Sequence, residues 1–425
     1  MKNNDPLYSN YIKVLKEELI PAMGCTEPAA LAFASAKARE LLGKAPEKVL
    51  VEVSGNIIKN VKSVIVPNTG GLKGIKSAVA VGIVAGNSER NLEVITFVTN
   101  EQQNLIAEFL EKIPIEIKVA DTERSLEIIV TLFADKSNVR LRIIDTHTNI
   151  VSIEKNGEFI FKAEEKPEFN NETDRTMLDI QEIIDFADNV IIDDVEEFIE
   201  RQITFNSAIS KEGLRGNYGA NIGRVLCKSF GDDIKVKARA AAAAGSDARM
   251  SGCNLPVIIL SGSGNQGITA SLPVIEYAEY LNKSREELIR ALVLSNLITI
   301  HLKTGIGRLS AYCGVVSAGA AAGSAIAYLQ GGRLKDVSHT LVNALAITSG
   351  IICDGAKPSC AAKIATAVDA GILGYEMSKN GQEFYGGDGI ISKCVEKTIK
   401  NISRLGREGM RKTNTEILQI MLDEE

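Results

Sequence analysis

Three cysteines in the second half of the chain stand where a thiolate is easily made. Cys313 lies in Ala311-Tyr312-Cys313-Gly314, directly ahead of a run rich in Gly, Ala and Ser. Farther on, Cys353 and Cys360 flank the loop Asp354-Gly355-Ala356-Lys357-Pro358-Ser359. A fourth, Cys25, falls in Gly24-Cys25-Thr26-Glu27-Pro28, just before a predicted helix. Helix N-termini favour thiolates, because their free N–H groups and dipole stabilise negative charge. Three thiolates meeting in a helical core can hold a 4Fe–4S cluster with one iron left open. An open iron is a Lewis acid for a hydroxyl, thiol or carboxylate. The spacing is not that of a four-cysteine ferredoxin, and buried cysteine is also a common small apolar residue. The residues alone leave both readings open. Cys227, Cys253 and Cys394 follow no spacing logic and read as core.

A second feature is Ser261-Gly262-Ser263-Gly264-Asn265-Gln266-Gly267, which follows the apolar run Val257–Leu260. It matches the glycine pattern that admits a pyrophosphate at a helix start. The confirming context, a second strand ending in an acid some 20 residues on, is missing, since 275–291 read as helix. The same loop also looks like the carboxylate loop of pyridoxal-phosphate dehydratases. That reading needs a Schiff-base lysine and a phosphate cup in an α/β fold, and the helical second half does not supply them. A pyridoxal-phosphate β-eliminase is therefore an alternative, as is a non-catalytic binding protein. A plain glycine turn is the simplest alternative of all.

The elements that must position these residues follow from periodicity. A helix is expected over Tyr11–Ile20, ending at Pro21, and a second from Pro28 to Leu42 with Gly43 as its stop. From about 48 to 165 the pattern turns β-branched and alternating. Strands are predicted at Val49–Val53, Val61–Val66, Leu92–Thr99, Ile115–Val119, Leu126–Phe133, Val139–Ile144 and Glu158–Phe161. Helices interrupt them at Lys76–Val84 and Glu101–Lys112. A polar stretch at 163–176, with Pro167, marks a boundary. Beyond 177 the strand signal fades, except near Val257–Leu260. Ser284-Arg285-Glu286-Glu287 reads as a capping box, 314–328 as a tightly packed small-residue helix, and further helices precede Cys353 and follow Pro358. The fold class expected is α+β: a mixed α/β block in the N-terminal half and a mainly helical C-terminal half. The divisions are 1–45, 46–165 and 170–425.

Composition excludes several classes. The chain has 425 residues, 45% hydrophobic and 24% charged, as for a folded globular protein. A net charge of −6 argues against a nucleic-acid binder. No long uncharged apolar run and no signal-peptide pattern are visible, so no membrane span and a cytoplasmic location are expected. Seven cysteines, an odd number, do not read as a disulfide framework. Aromatics make up only 5%, with no Trp, so the core rests on small and aliphatic side chains.

Taken together, Gly24–Pro28, Val66-Pro67-Asn68-Thr69-Gly70-Gly71, Gly262–Gly267, Ile306–Cys313 and Cys353–Cys360 resemble the iron–sulfur L-cysteine desulfidase family. That family is related to the α-domain of bacterial iron–sulfur L-serine dehydratases. The resemblance spans residues 24 to 360. It implies a 4Fe–4S cluster held by Cys313, Cys353 and Cys360, and a proton-accepting Cys25, for which the place near a helix start predicts a lowered pKa. Cys25 in place of Cys360 as a ligand is the alternative. It also implies a small amino-acid substrate whose ammonium and carboxylate meet Glu27, Asn68, Thr69, Asn265 and Gln266, although Asn and Thr beside Gly are commonly turn formers. The implied reaction is β-elimination from L-cysteine to hydrogen sulfide, ammonia and pyruvate, with L-serine dehydration as the alternative. In the serine dehydratases the early motif is Ser-His-Thr, where this chain has Gly-Cys-Thr. The loop between the last two cysteines is shorter here, and Leu422-Asp423-Glu424-Glu425 carries no cysteine. These departures tilt the reading towards cysteine. Arg249 and Arg308 are further carboxylate candidates, and Lys357 can offset cluster charge. His301 and Lys303 precede the cysteine helix, while His147 and His339 read as structural. A homo-oligomer is compatible with the sequence.

Overall fold

The computed structural model describes residues 1, 4–165 and 173–423. The boundary residue Pro167 and the tail residues Glu424 and Glu425 lie outside the described residues. The chain is α+β, with its main sheet in the first half and helices thereafter.

The sheet has six strands in the order Ile115–Val119, Lys48–Val53, Glu127–Ala134, Ser137–Ile144, Ile150–Lys155 and Glu158–Lys162. The first two pair parallel and the rest antiparallel. Alternation sets the faces. Val139, Leu141 and Ile143 point into the core, whereas Arg140 and Arg142 on the other face pair with Glu154 and Glu127. The helix Thr26–Leu42 packs across the inner face, flanked by Gly74–Ala85. It closes at Gly43, whose φ of 77° suits a left-handed C-cap.

Two predicted strands are absent. Val61–Val66 is the end of the helix Gly55–Val61 and a turn, and Leu92–Thr99 is the end of a 3-10 turn (Ser88–Glu93) followed by loop. Both segments are β-branched and partly buried, but the first pairs only through a single bridge between Ile65 and Lys73 across its own turn, and the second packs as a connection. Conversely, Ile150–Lys155 is a strand that the sequence pattern did not reveal. Pro21–Met23, read as a helix stop, pairs with Pro256–Ile258 in a two-stranded ribbon. That ribbon fastens the Cys25 segment to the glycine-rich loop from the other half of the chain.

The helical half follows the predicted elements closely. Ser284 and Glu287 form the expected capping box for Arg285–Ile306. Gly314–Leu329 is buried along nearly its whole length, and Leu334–Thr348 and Cys360–Lys379 flank it. Close backbone approach explains the small residues. A Cβ on Gly323 would lie 2.4 Å from the Gly371 carbonyl oxygen, with no room to relax. Low aromatic content is the compositional trace of this packing.

Candidate active site

Each cysteine of interest sits at the start of a helix or in the loop beside one. Cys25 is the N-cap of Thr26–Leu42, Cys313 is the N-cap of Gly314–Leu329, and Cys360 opens Cys360–Lys379. Backbone pairing clamps two of them together. Cys353 N–H donates to Ala311 O at 2.7 Å, and Cys313 N–H donates to Ile351 O at 3.1 Å. The two side chains meet, and the Cys313 thiol donates to Cys353 sulfur. That bond, reinforced by the Lys59 ammonium and the Gly355 N–H, holds Cys353 down at about 5 against the cost of burial. Cys313 is correspondingly held as the thiol.

Cys360 stands on the far side of this loop and packs with Met250 and Ala356 in the small apolar cluster that contains Cys25. Its thiol faces Gly355 O at 3.6 Å. Cys25 itself is 1% exposed and lies 4.0 Å from Met250 Sδ. The expectation of a lowered Cys25 pKa is overturned. Burial pushes the thiol up to about 12, with Glu27 and Cys360 adding to the rise and only Arg249 opposing it. A helix N-terminus does not compensate for complete removal from water.

Basic groups ring the Cys313–Cys353 pair. Lys59, 2% exposed, donates to Cys353 O at 3.3 Å and to Asn414 Oδ1 at 2.6 Å. Lys363 donates to Ile352 O and pairs with Asp354. Lys303 is buried nearby, and desolvation lowers it to about 8 in spite of both thiols. Among the described residues no three His, Cys, Asp or Glu side chains share the reach of a single metal ion. A four-iron cluster takes one thiolate per iron, so its ligands need not share one coordination sphere. The chemistry of the donor set fits such a cluster: three soft sulfur donors, two at helix starts and one in the loop between helices, with cations to balance anionic charge.

The remaining predicted residues divide into two groups. Glu27 is buried behind Cys25, where its carboxylate accepts from Asn60 at 2.9 Å and Thr26 at 3.1 Å. Burial would raise it, but His147 and Asn60 prevail and hold it at about 2. Asn265 accepts from Arg249 at 3.1 Å, and Arg249 also donates to Gly24 O at 3.0 Å, so one guanidinium ties the two motifs together. Gln266 lies against Gly314 at the start of the Cys313 helix, and its buried Oε1 has no partner. Asn68 and Thr69, by contrast, bond to their own neighbourhood. Asn68 donates to Ile95 O at 2.8 Å and Thr69 to Val66 O at 2.7 Å. Pro67 in the same loop packs against Gly24.

His301 bonds Glu396 at 2.8 Å, and His339 pairs with Glu383. His147 departs from the structural reading, since it is buried 3.8 Å from Glu27. Sequence reasoning missed Lys59, Asn60 and Met250. Only the adjacent polar pair Lys59-Asn60, after the apolar Ile57-Ile58, hinted at the first two.

The model of the serine dehydratase alpha chain matches residues 89–419. A UPF0597 protein of Desulfitobacterium hafniense is 59% identical over all of this chain and 99% of its own length. Another, of Lachnoclostridium phytofermentans, is 49% identical over 98% of this chain and 100% of its own. A third, of Clostridium perfringens, is 41% identical over 97% and 98%.

Proposed function

Because the chain belongs to the serine dehydratase alpha chain family, we propose that it is an iron–sulfur-dependent lyase. In this reading it releases hydrogen sulfide, ammonia and pyruvate from L-cysteine by β-elimination. The observation that carries the reading is the convergence of Cys313, Cys353 and Cys360 beside Cys25, within a ring of lysines. Cys313, Cys353 and Cys360 would hold a 4Fe–4S cluster. When bound, such a cluster supplies a Lewis-acidic iron that stabilises negative charge developing on the departing sulfur.

The protein's own groups do the rest. Glu27 takes the substrate ammonium, which neutralises a charge that holds the Cys25 proton in place. Arg249 acts in the same direction. Cys25, so relieved, gives up its thiol proton to a water that enters with the substrate, and the resulting thiolate accepts the Cα proton as the C–S bond breaks and sulfide leaves. The resulting aminoacrylate tautomerises and is hydrolysed to pyruvate and ammonia. Near-complete burial of Cys25 and Glu27 keeps bulk water from the carbanion-like centre.

L-Serine dehydration with the same groups is the second reading, favoured by the description of the matching family. Anaerobic purification with iron and labile-sulfide analysis, followed by sulfide and pyruvate assays on both amino acids, tests the proposal. Iron-containing protein that releases sulfide from L-cysteine is the expected result. A colourless protein without iron after anaerobic reconstitution overturns it, and pyruvate from L-serine alone selects the second reading.

A further inference from the structure

Two buried polar side chains without hydrogen-bond partners, Ser261 and Lys303, face one cavity. The cavity, of about 860 Å3, lies between the turn around residues 145–149 and the helical half of the chain, and Ser261, Gly262, Lys303, Arg308 and His147 line its inner end. Ser261 is 4% exposed, its hydroxyl bonds to nothing, and its φ of 47° is a left-handed conformation that serine adopts only at a cost. His147 is equally buried, and its Nε2 is turned to the Glu27 carboxylate at 3.8 Å. Lys303 is also 4% exposed, and among the described residues no hydrogen bond or ion pair holds its ammonium. Buried polar groups are ordinarily satisfied. Two unsatisfied ones on one wall point to a ligand that satisfies them.

The charge of that wall says which kind. Arg308 donates to Glu18 at 2.8 Å, and Arg175 pairs with the same carboxylate. Arg175 also reaches Glu17 at 3.3 Å, so two carboxylates match the two guanidiniums, and the cation left over at this end of the cavity is Lys303. The wall also backs directly onto the reacting groups. Thr26, next to Cys25, donates to Gly262 O at 2.9 Å. A Cβ on Gly262 would lie 3.1 Å from both Arg308 and His147, and its φ of 78° suits glycine, so the loop passes close against these two side chains. Lys303 is close enough to Cys313 and Cys353 to feel their charge.

Resting on the lyase reading above, we propose that this wall is the seat of the substrate's α-carboxylate, bound by Lys303, Arg308 and the Ser261 hydroxyl. The amino acid then enters through the cavity rather than past the Cys353–Cys360 loop. Ser261 and Lys303 are carboxylate-binding residues in addition to Asn265 and Gln266 of the same glycine-rich segment.

Calorimetric titration of the anaerobically reconstituted full-length protein with L-alanine tests this. L-Alanine carries the carboxylate and ammonium but no leaving group, and ethylamine, which lacks the carboxylate, is the control. Wild type binds L-alanine and not ethylamine. Ser261→Gly relieves the left-handed strain, so it retains iron and melts no lower than wild type, yet it weakens L-alanine at least about tenfold. Lys303→Met weakens it by at least as much and raises KM for L-cysteine more than it lowers kcat. Unchanged L-alanine affinity in Ser261→Gly overturns the proposal, as does wild type that binds ethylamine equally well or L-alanine not at all. Loss of iron in Lys303→Met, with normal binding by Ser261→Gly, also overturns it and makes Lys303 a charge partner of the cysteines. L-Alanine binding that depends on these residues, without sulfide or pyruvate release by wild type, leaves the carboxylate seat standing and removes the lyase reading.

Discussion

Cys25 and Cys353 are both thiols withdrawn from water beside a helix or its flanking loop, and the protein treats them in opposite ways. Around Cys353 a neighbouring S–H, a backbone N–H and the Lys59 ammonium all favour the anion, and the thiol is held at about 5. Around Cys25 only the Arg249 guanidinium favours the anion, while burial, Glu27 and Cys360 oppose it, and the thiol is pushed up to about 12. Two buried carboxylates repeat the contrast. Glu27, with His147 and Asn60 beside it, is held at about 2, whereas Asp247 has one oxygen without a partner and rises to about 6. Burial is common to all four groups. What separates them is how strongly other elements favour the charged form: an S–H, an N–H and an ammonium at Cys353 against a lone guanidinium at Cys25, and side-chain partners at Glu27 against backbone N–H groups alone at Asp247. The Cys353 region is thus built to carry negative charge and the Cys25 region to hold a proton until something changes beside it.

This contrast can be broken most severely at Cys353. Cys353→Ala is expected to lose iron and all sulfide release together, measured by iron content and anaerobic assay. Cys25→Ala should separate the two readouts, keeping full iron content while sulfide release falls by about 10²–10⁴-fold. Loss of iron in that variant would make Cys25 a ligand and erase the distinction between the regions. Lys59→Met probes the cation that distinguishes the Cys353 side. Activity and iron retention on chelator challenge should fall by roughly 10–100-fold, as when an outer partner of a metal site is removed.

The smallest effect is at Asp247, where only stability is at stake. Its folded pKa lies above the ordinary carboxylate value, so the native state binds the extra proton and stability falls as pH rises from about 4 through 6. Asp247→Asn should therefore stabilise the protein at pH 7 by on the order of 1–3 kcal/mol, an advantage that disappears below about pH 4. Melting temperatures at the two pH values check this. An equal gain at both would mean that the aspartate's charge is not the cause.

Much of the fold is legible in the sequence, because local rules act within a few residues. Ser284 and Glu287 cap their helix, Gly43 ends one, and the small-residue run after Cys313 becomes the buried helix expected. Val61–Val66 and Leu92–Thr99 mislead because a β-branched buried segment reads the same whether or not a strand lies beside it. Likewise Pro21–Met23 shows no strand signal, since its partner is Pro256–Ile258, far away in the chain. In the candidate site, cysteines at helix starts could be picked out by type and flanking residues. Lys59 and His147 could not, as one lies within a helix and the other in a hairpin turn without any motif around it.

Residue types and their local punctuation thus determined by themselves that four cysteines stand at or beside helix starts, and that a glycine-rich loop follows a short strand. Only the tertiary structure decided that Cys313 and Cys353 touch while Cys25 lies apart against Met250, and that Arg249 joins Gly24 to Asn265. The reason is physical. Helix capping and turn formation depend on neighbours in sequence, whereas the charge state of a buried thiol depends on which distant groups packing brings within a few ångströms.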